Sequence, residues 1–433
     1  MKRVPPSQRT KEAISQFFSG NSGEGDPRSE LVRLAVQFIV EEGLEAVVRD
    51  HLDRDYYERG GGSGYRNGHR PKKLKSSEGE VTYANPQLRG TRSEALDALR
   101  ARLSGRSEEL ERLAIEMYAR GCSTRDIEAI FAGADGKSLL SRSAVSEVTE
   151  VLWAEYEEFA TRDLSEIRPL YLFVDGIAER LRPGAKREAV LAAWAITWDR
   201  KKVLVHLSPG TKESTECCRD FFEDLKRRGL TDPVLVVTDG APGLIRATEE
   251  CFPLSKRQRC LAHRMRNLLA KLPEEIHAAF KEAVRASYQA PSPAMAEALR
   301  DDLVEHYQER YPTAVRCFLE DFDACIAHLN CPPAHRRYIR TTNLLERLFE
   351  EERRRMRAAG TMFGERPVLK LMYAALIRGS ERWRGIRITD FERKQLERLR
   401  EEIEGRHRKE NEPAVKAASR QENAQAFSSR NRT

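Results

Sequence analysis

Residues 169–176 read PLYLFVDG and residues 233–240 read PVLVVTDG. In each, a short run of Val, Leu and aromatic residues ends in Asp-Gly, the pattern of a buried strand that opens into a turn. Between them lie two more strand candidates, AVLAAWAITWD (189–199) and KVLVHLSPG (202–210), and a helix, STECCRDFFEDLKRRG (214–229). Three strands, then a helix, a strand and a helix, is not the strict alternation of a doubly wound sheet. It predicts a ribonuclease-H-like arrangement, in which a three-stranded antiparallel meander is extended by strands paired in parallel.

Outward from this core the chain divides by composition. Residues 1–28 are rich in Ser, Gly, Pro and charge and read as a flexible leader. Residues 29–105 begin with an amphipathic helix, SELVRLAVQFIVEEGLEAVVRDHL. A glycine-rich loop, a basic cluster and a short extended piece around Val81 to Tyr83 follow, giving a helical and basic region. In residues 106–164 a helix ends near Gly121, Ser123 or Thr124 can cap the next, and SRSAVSEV opens a third. That order predicts a helix-turn-helix reader, with Arg125 and Ser143 on its second and third helices, although any small helical bundle gives a similar pattern. Residues 165–258 form the first part of the catalytic core, 259–335 a helical insertion, 336–400 the last part, and 401–433 a polar tail expected to be disordered. The expected class is thus a multidomain α+β protein.

At 433 residues the chain exceeds what one growing core serves. No apolar run approaches the roughly 20 residues of a membrane span, and the start, MKRVPPSQRTKEAISQFF, lacks a signal peptide's apolar stretch. A cytoplasmic, nucleoid-associated protein with no membrane partner is expected. Eight scattered cysteines do not resemble a secreted disulfide framework, so reduced thiols are expected. A net charge of +7 says little about a polyanionic partner. Local clustering says more: RNGHRPKKLK (66–75) gathers Arg66, His69, Arg70, Lys72 and Lys73 in one short stretch. Such a cluster can neutralise several phosphates and release their counterions, or it can be a solvated basic loop.

Asp175 and Asp239 each break an apolar run at its end. One such Asp-Gly is usually a turn, but two on neighbouring central strands point to a shared site. A third acid comes from the helix in RTTNLLERLFEEERRR (340–355), where Thr342 or Asn343 can cap the N-terminus. Glu346 and Glu350 share a face there, and spacing alone does not choose between them. Carboxylates about 4 Å apart repel by roughly 4 kcal/mol at an effective dielectric near 20, so a cluster of them needs cations. Mg²⁺, with Mn²⁺ able to substitute, suits such oxygen ligands and shares its shell with phosphates. Two ions about 3.5–4 Å apart serve both hydrolysis and strand transfer, with only the nucleophile differing.

Six segments together resemble the DDE transposases of bacterial insertion sequences related to the plant Mutator elements. They are RNGHRPKK, MYARGCSTRDI, YLFVDGI, VLVVTDGAPGL, RQRCLAHRMRNLLAKL and RTTNLLERLFEEERRR, in the family's order and across most of residues 30–390. The resemblance assigns the catalytic, metal-holding acids to Asp175, Asp239 and Glu346, against Glu350. It implies binding of terminal inverted repeats in double-stranded DNA, metal-dependent strand cleavage and strand transfer, and a homodimer holding two element ends. The family's Cys-x-x-His element falls on Cys260 and His263. Zinc comes to mind because Cys325, His328 and Cys331 follow, but the spacing lacks the paired Cys-x-x-Cys form, and site support is the expected role.

Arg264, Arg266, Arg340 and Asn343 are expected to add positive potential or support near the acids. Arg353, Arg354 and Arg355 either contact DNA or pair with Glu350 to Glu352 along the helix. Trp383, between arginines in SERWRG, is the tryptophan to test for a flipped base. The segment IAERLRPGAKREAV, with its irregular turn, and the weakly basic stretch near Asn85 and Pro86 depart from the family pattern. An inactive DNA-binding regulator or a ribonuclease-H-like nuclease are the alternatives: the first needs no intact acids and the second no N-terminal reader. A serine or tyrosine recombinase works through a covalent phosphoester without two ions.

Overall fold

A computed structural model describes residues 4–20, 26–58, 60, 64–77, 79–133, 137–179, 188–210, 215–359, 364–380 and 385–430. The chain falls into two compact units, Met1–Val151 and Leu152–Thr433, and the class is α+β.

The first unit opens with helix α1 (Pro6–Phe18) within the segment read as a leader. Its Thr10 hydroxyl donates to Glu41 at 2.7 Å, so a buried carboxylate of the next helix ties it down. Helix α2 (Pro27–Leu52) is capped by Asp26, which accepts from the N–H groups of Arg28 and Ser29. Strands β1 (Tyr65–Ser76) and β2 (Gly79–Arg89) form an antiparallel hairpin, paired from Tyr65 with Arg89 to Ser76 with Gly79. The basic cluster therefore lies on a strand, and not in the solvated loop that was one of its two readings. After α3 (Glu94–Arg102), β3 (Gly105–Arg106) pairs in parallel with the end of β1. Leu44, Val48, Leu52, Tyr83 and Leu96 make the local core.

Three serine-capped helices complete this unit: α4 (Glu108–Ala119), α5 (Thr124–Ile130) and α6 (Arg142–Val148). Gly121, at φ 99°, turns the chain out of α4. Ser123 and Asp126 form a reciprocal capping box at α5, and Ser141 caps α6.

The second unit is built on a five-stranded sheet. Helix α7 (Val151–Thr161) leads into β4 (Pro169–Glu179), β5 (Glu188–Thr197) and β6 (Lys202–Gly210), then α8 (Thr215–Arg227), β7 (Leu235–Thr238), α9 (Pro242–Cys251) and β8 (Lys256–Arg259). The spatial order is β6-β5-β4-β7-β8, antiparallel through the first three and parallel from β4 to β8. Helices α10 (Leu261–Leu269), α11 (His277–Tyr288), α12 (Pro293–Tyr307), α13 (Pro312–Leu319) and α14 (Phe322–Ile326) then share a separate apolar core, including Phe280, Tyr288 and Phe318. Helices α15 (Pro333–Ile339), α16 (Asn343–Ala359), α17 (Glu365–Ser380) and α18 (Asp390–Arg430) follow. The last runs as helix through the segment read as a disordered tail.

Strand β4 shows why the sheet is buried on both faces. Tyr171, Phe173 and Ile177 pack with α7, α16 and α17, whereas Leu172 and Val174 pack against α8 and α9. Alternate residues of a strand point to opposite faces, so a central strand covered on both sides is a nearly continuous apolar run. Among the described residues no helix is long and apolar enough to cross a membrane.

Candidate functional site

Asp175 lies on β4 with the parity of Tyr171, Phe173 and Ile177, and so faces α16. Asp239 is the first residue beyond β7, whose last ladder pair joins Thr238 to Val174. One further step in that parallel register sets Asp175 beside Asp239. Asp175 is only 6% exposed. Burial, reinforced by the charge of Asp239, pushes its carboxyl up to about 6. Each aspartate accepts a local backbone N–H: Gly176 donates to Asp175 and Ala241 to Asp239, both at 2.9 Å. Gly240 has φ 86°, and a Cβ there would run into the Arg259 guanidinium, so this turn admits only glycine without rearrangement.

Glu346 sits in the first turn of α16, beside the core residues Leu345, Leu348 and Phe349. Arg266 of α10 pairs with it at 3.1 Å, and His263 Nε2 lies 3.9 Å from the same oxygen. The other ring nitrogen of His263 is 3.3 Å from the Cys260 sulfur. Cys260 is fully buried and also lies 3.4 Å from both the N–H and the hydroxyl of Thr342. Burial works to raise the Cys260 thiol, but the hydrogen bonds from His263 and Thr342 outweigh it and hold the thiol below its ordinary range. The same Cys260 contact, opposed by burial, raises the His263 imidazole.

Thr342 was weighed in the sequence only as a helix cap. Its hydroxyl also hydrogen-bonds Asp175, lowering that carboxyl against the larger effect of burial, and its carbonyl accepts the N–H of Glu346 at 3.1 Å. The signal that could have found it is its place four residues before the helix-borne Glu346, in the short run between two helices.

The donor chemistry fits a hard divalent cation: two adjacent carboxylates, with the Asp175 carboxyl pushed up to about 6 by burial and by the charge of Asp239, and a third carboxylate held by Arg266 and His263. Among the described residues no three His, Cys, Asp or Glu side chains already converge as a metal cage. Asp175 and Asp239 could share such an ion, and Glu346 is the third carboxylate that the resemblance assigns to it. His328 is in the core, with its N–H and Nδ1 on the Gln258 carboxamide oxygen at 2.7 and 3.1 Å.

Several other expected residues are placed differently from one another. Arg266 pairs with Glu346, half-buried Arg340 donates to the Gln289 side chain at 2.7 Å, and Asn343 is exposed at the start of α16. Arg264 is fully buried and donates to the carbonyls of Cys317 and Glu320, so it braces α10 against α13 and offers no charge to a ligand. Arg355 is likewise buried, paired with Glu351 at 3.0 Å, and exposed Arg354 pairs with the same carboxylate. Arg353 is exposed. Trp383 lies outside the described residues.

In the first unit Arg66 pairs with Glu45 at 2.8 Å and donates to main-chain carbonyls, an internal role. His69 stacks on Tyr56, and burial lowers its imidazole pKa. Lys73 pairs with Glu80 at 2.6 Å, while Arg70 and Lys72 are exposed on β1. Arg125 and Ser143 are exposed on α5 and α6.

A mixed sheet thus brings two aspartates together at neighbouring strand ends, with a glutamate on a facing helix. The profile described as Transposase, Mutator family matches residues 9–385, and the chain belongs to that family of transposases. It is 31% identical over 62% of its length to the transposase for insertion sequence element IS6120 of Mycolicibacterium smegmatis, covering 84% of that protein. Identity to the transposase for ISRM5 of Rhizobium meliloti (strain 1021) is 30%, over 81% of this chain and 88% of that one. The transposase for IS256 in transposon Tn4001 of Staphylococcus aureus is 30% identical over 62% of this chain and 70% of its own.

Proposed function

We propose that the chain binds the terminal inverted repeats of an insertion sequence and carries out DNA strand cleavage and strand transfer with Asp175, Asp239 and Glu346 as the catalytic acids. The observation that carries this reading is the side-by-side setting of Asp175 and Asp239 on a sheet ordered β6-β5-β4-β7-β8, on the face that meets α16. That strand order supports a ribonuclease-H-like core, and the serine-capped helices α4 to α6 support a helix-turn-helix reader of double-stranded DNA. Mg²⁺, or Mn²⁺ in its place, bound by the three acids would activate the attacking oxygen and stabilise the leaving one.

In cleavage, a water oxygen bonds to phosphorus as the bond to the 3′ oxygen breaks, leaving a 3′-hydroxyl at the element end. In joining, that hydroxyl forms the new phosphorus bond in target DNA while the target's own 3′ oxygen leaves. Asp175 and Asp239 hold their charge where these exchanges occur. Arg266 and His263 keep Glu346 turned toward them. Two ends must be joined together, so a homodimer is part of the proposal.

The test is cleavage and joining on duplexes carrying the element's ends with Mg²⁺, comparing wild type with Asp175→Asn, Asp239→Asn and Glu346→Gln. Loss of both steps in each variant with DNA binding retained is expected. Activity that persists in the variants or after chelation overturns the assignment.

A further inference from the structure

A cavity of about 360 Å³ opens between α10, α11 and the residues just before α16. Its floor is apolar, built from Leu261, Met265 and Leu269. Four cations rim it: Arg266, Lys281, Arg285 and Arg340. Among the described residues no carboxylate lines it, and no ion pair holds Lys281, Arg285 or Arg340. Like charges gathered without counter-charges repel, so this arrangement is stable only at a cost that an anion would relieve. The fourth cation, Arg266, is also the ion-pair partner of Glu346 at 3.1 Å. The cavity therefore begins one side chain away from the third acid.

We infer that this cavity receives one nucleotide of the DNA strand next to the phosphodiester that is cut. The sugar-phosphate lies against Lys281, Arg285 and Arg340, and the base covers the Leu261–Met265–Leu269 floor. Charge decides the occupant: an apolar floor alone suits many ligands, but a rim of three cations without ion-pair partners, one of them held only by the neutral Gln289 carboxamide, suits a phosphodiester, and a flat base fills the apolar remainder. Binding there would also compete with Glu346 for Arg266, so that seating the nucleotide frees the carboxylate. The inference rests on the transposase reading and names a substrate contact that the acids alone leave open.

Two measurements on the full-length protein test it without depending on cleavage. With p-benzoylphenylalanine in place of Met265, photocrosslinking in EDTA to a duplex carrying the terminal repeat is expected to map to nucleotides flanking the element end. Crosslinks elsewhere on the duplex, or to free dAMP and not to the duplex, overturn the inference. In parallel, Lys281→Ala and Arg285→Ala are expected to lower the salt dependence of duplex binding by about one counterion per cation removed. An unchanged slope in proteins that melt like the wild type also overturns it. If wild type cuts no DNA under any condition yet the crosslink and slope behave as expected, the proposed strand-cleavage chemistry fails and the nucleotide site stands.

Discussion

The hydroxyl of Thr342 lies 3.4 Å from the sulfur of Cys260, and this contact links the backbone supports of all three acids. The Cys260 N–H donates to the carbonyl of Thr238, the residue before Asp239, at 2.7 Å. The Thr342 carbonyl accepts from Glu346, and its hydroxyl bonds Asp175. Two strands and a helix far apart in sequence are thereby held in one register by two small buried side chains.

Thr342→Val keeps the volume and removes the hydroxyl. Hydrogen bonds to charged groups contribute about 1.5–3 kcal/mol, so strand cleavage is expected to slow by roughly ten- to a hundredfold with DNA affinity unchanged. Thr342→Ser should restore the rate. A valine variant that cuts at the wild-type rate shows that Thr342 is a packing residue only.

The metal-free protein should lose stability as pH rises from about 4 to about 6. Asp175 titrates near 6 when folded against an ordinary value of 3.8, so the folded state binds the proton more tightly and ionisation costs on the order of 3 kcal/mol above that window. Asp175→Asn removes the penalty. Melting curves between pH 4 and 8 should be flatter for the variant, and Mg²⁺ should raise the melting temperature of the wild type alone at pH 8. Equal pH profiles count against the carboxylate pair.

Glu352 of α16 is fully buried, and neither of its oxygens has a hydrogen-bond partner among the described residues. Burial, with the nearby charge of Glu179, pushes its carboxyl up to about 8. Its raised folded value means that stability is lost between about pH 4.5 and 8. Glu352→Gln is thus expected to match wild type at pH 4.5 and to exceed it by several kcal/mol at pH 9 in urea unfolding. A variant weaker than wild type at pH 9 points to a partner for the ionised form.

Arg66 and its neighbours on β1 should separate stability from DNA binding. Removing Arg66 leaves Glu45, 5% exposed, without its ion-pair partner. Arg66→Ala is expected to cost about 3 kcal/mol of stability, read by chemical denaturation. Arg70→Ala and Lys72→Ala should leave melting unchanged and lower the salt slope of duplex binding by about one each. The reverse pattern removes β1 from the DNA-facing surface.

Much of this was legible in the chain itself. The strands β4 to β7 show as apolar runs because a sheet covered on both faces leaves no polar side, and a carboxylate at the end of such a run stands out. The glycine turn and serine caps of α4 to α6 are written in local backbone chemistry. Glu346 was separated from Glu350 by resemblance, because both lie on one helix face.

Tertiary structure decided the rest. Strand β8 reads KRQR, with nothing apolar to mark it. It is a strand because its backbone pairs in parallel with β7, and its polar side chains are satisfied by partners more than sixty residues away: Gln258 bonds the carbonyl of Cys325, and Arg257 and Arg259 pair with Asp321. Arg264 and Arg266, two residues apart on α10, have opposite fates, one locked in the core and one facing Glu346. Sequence fixes the kind of side chain and the period of its element, which suffices for strands, caps and strand-end acids. It does not fix which long-range partner satisfies a polar group, and for arginine, threonine and cysteine that partner determines whether the residue braces the fold or serves the site.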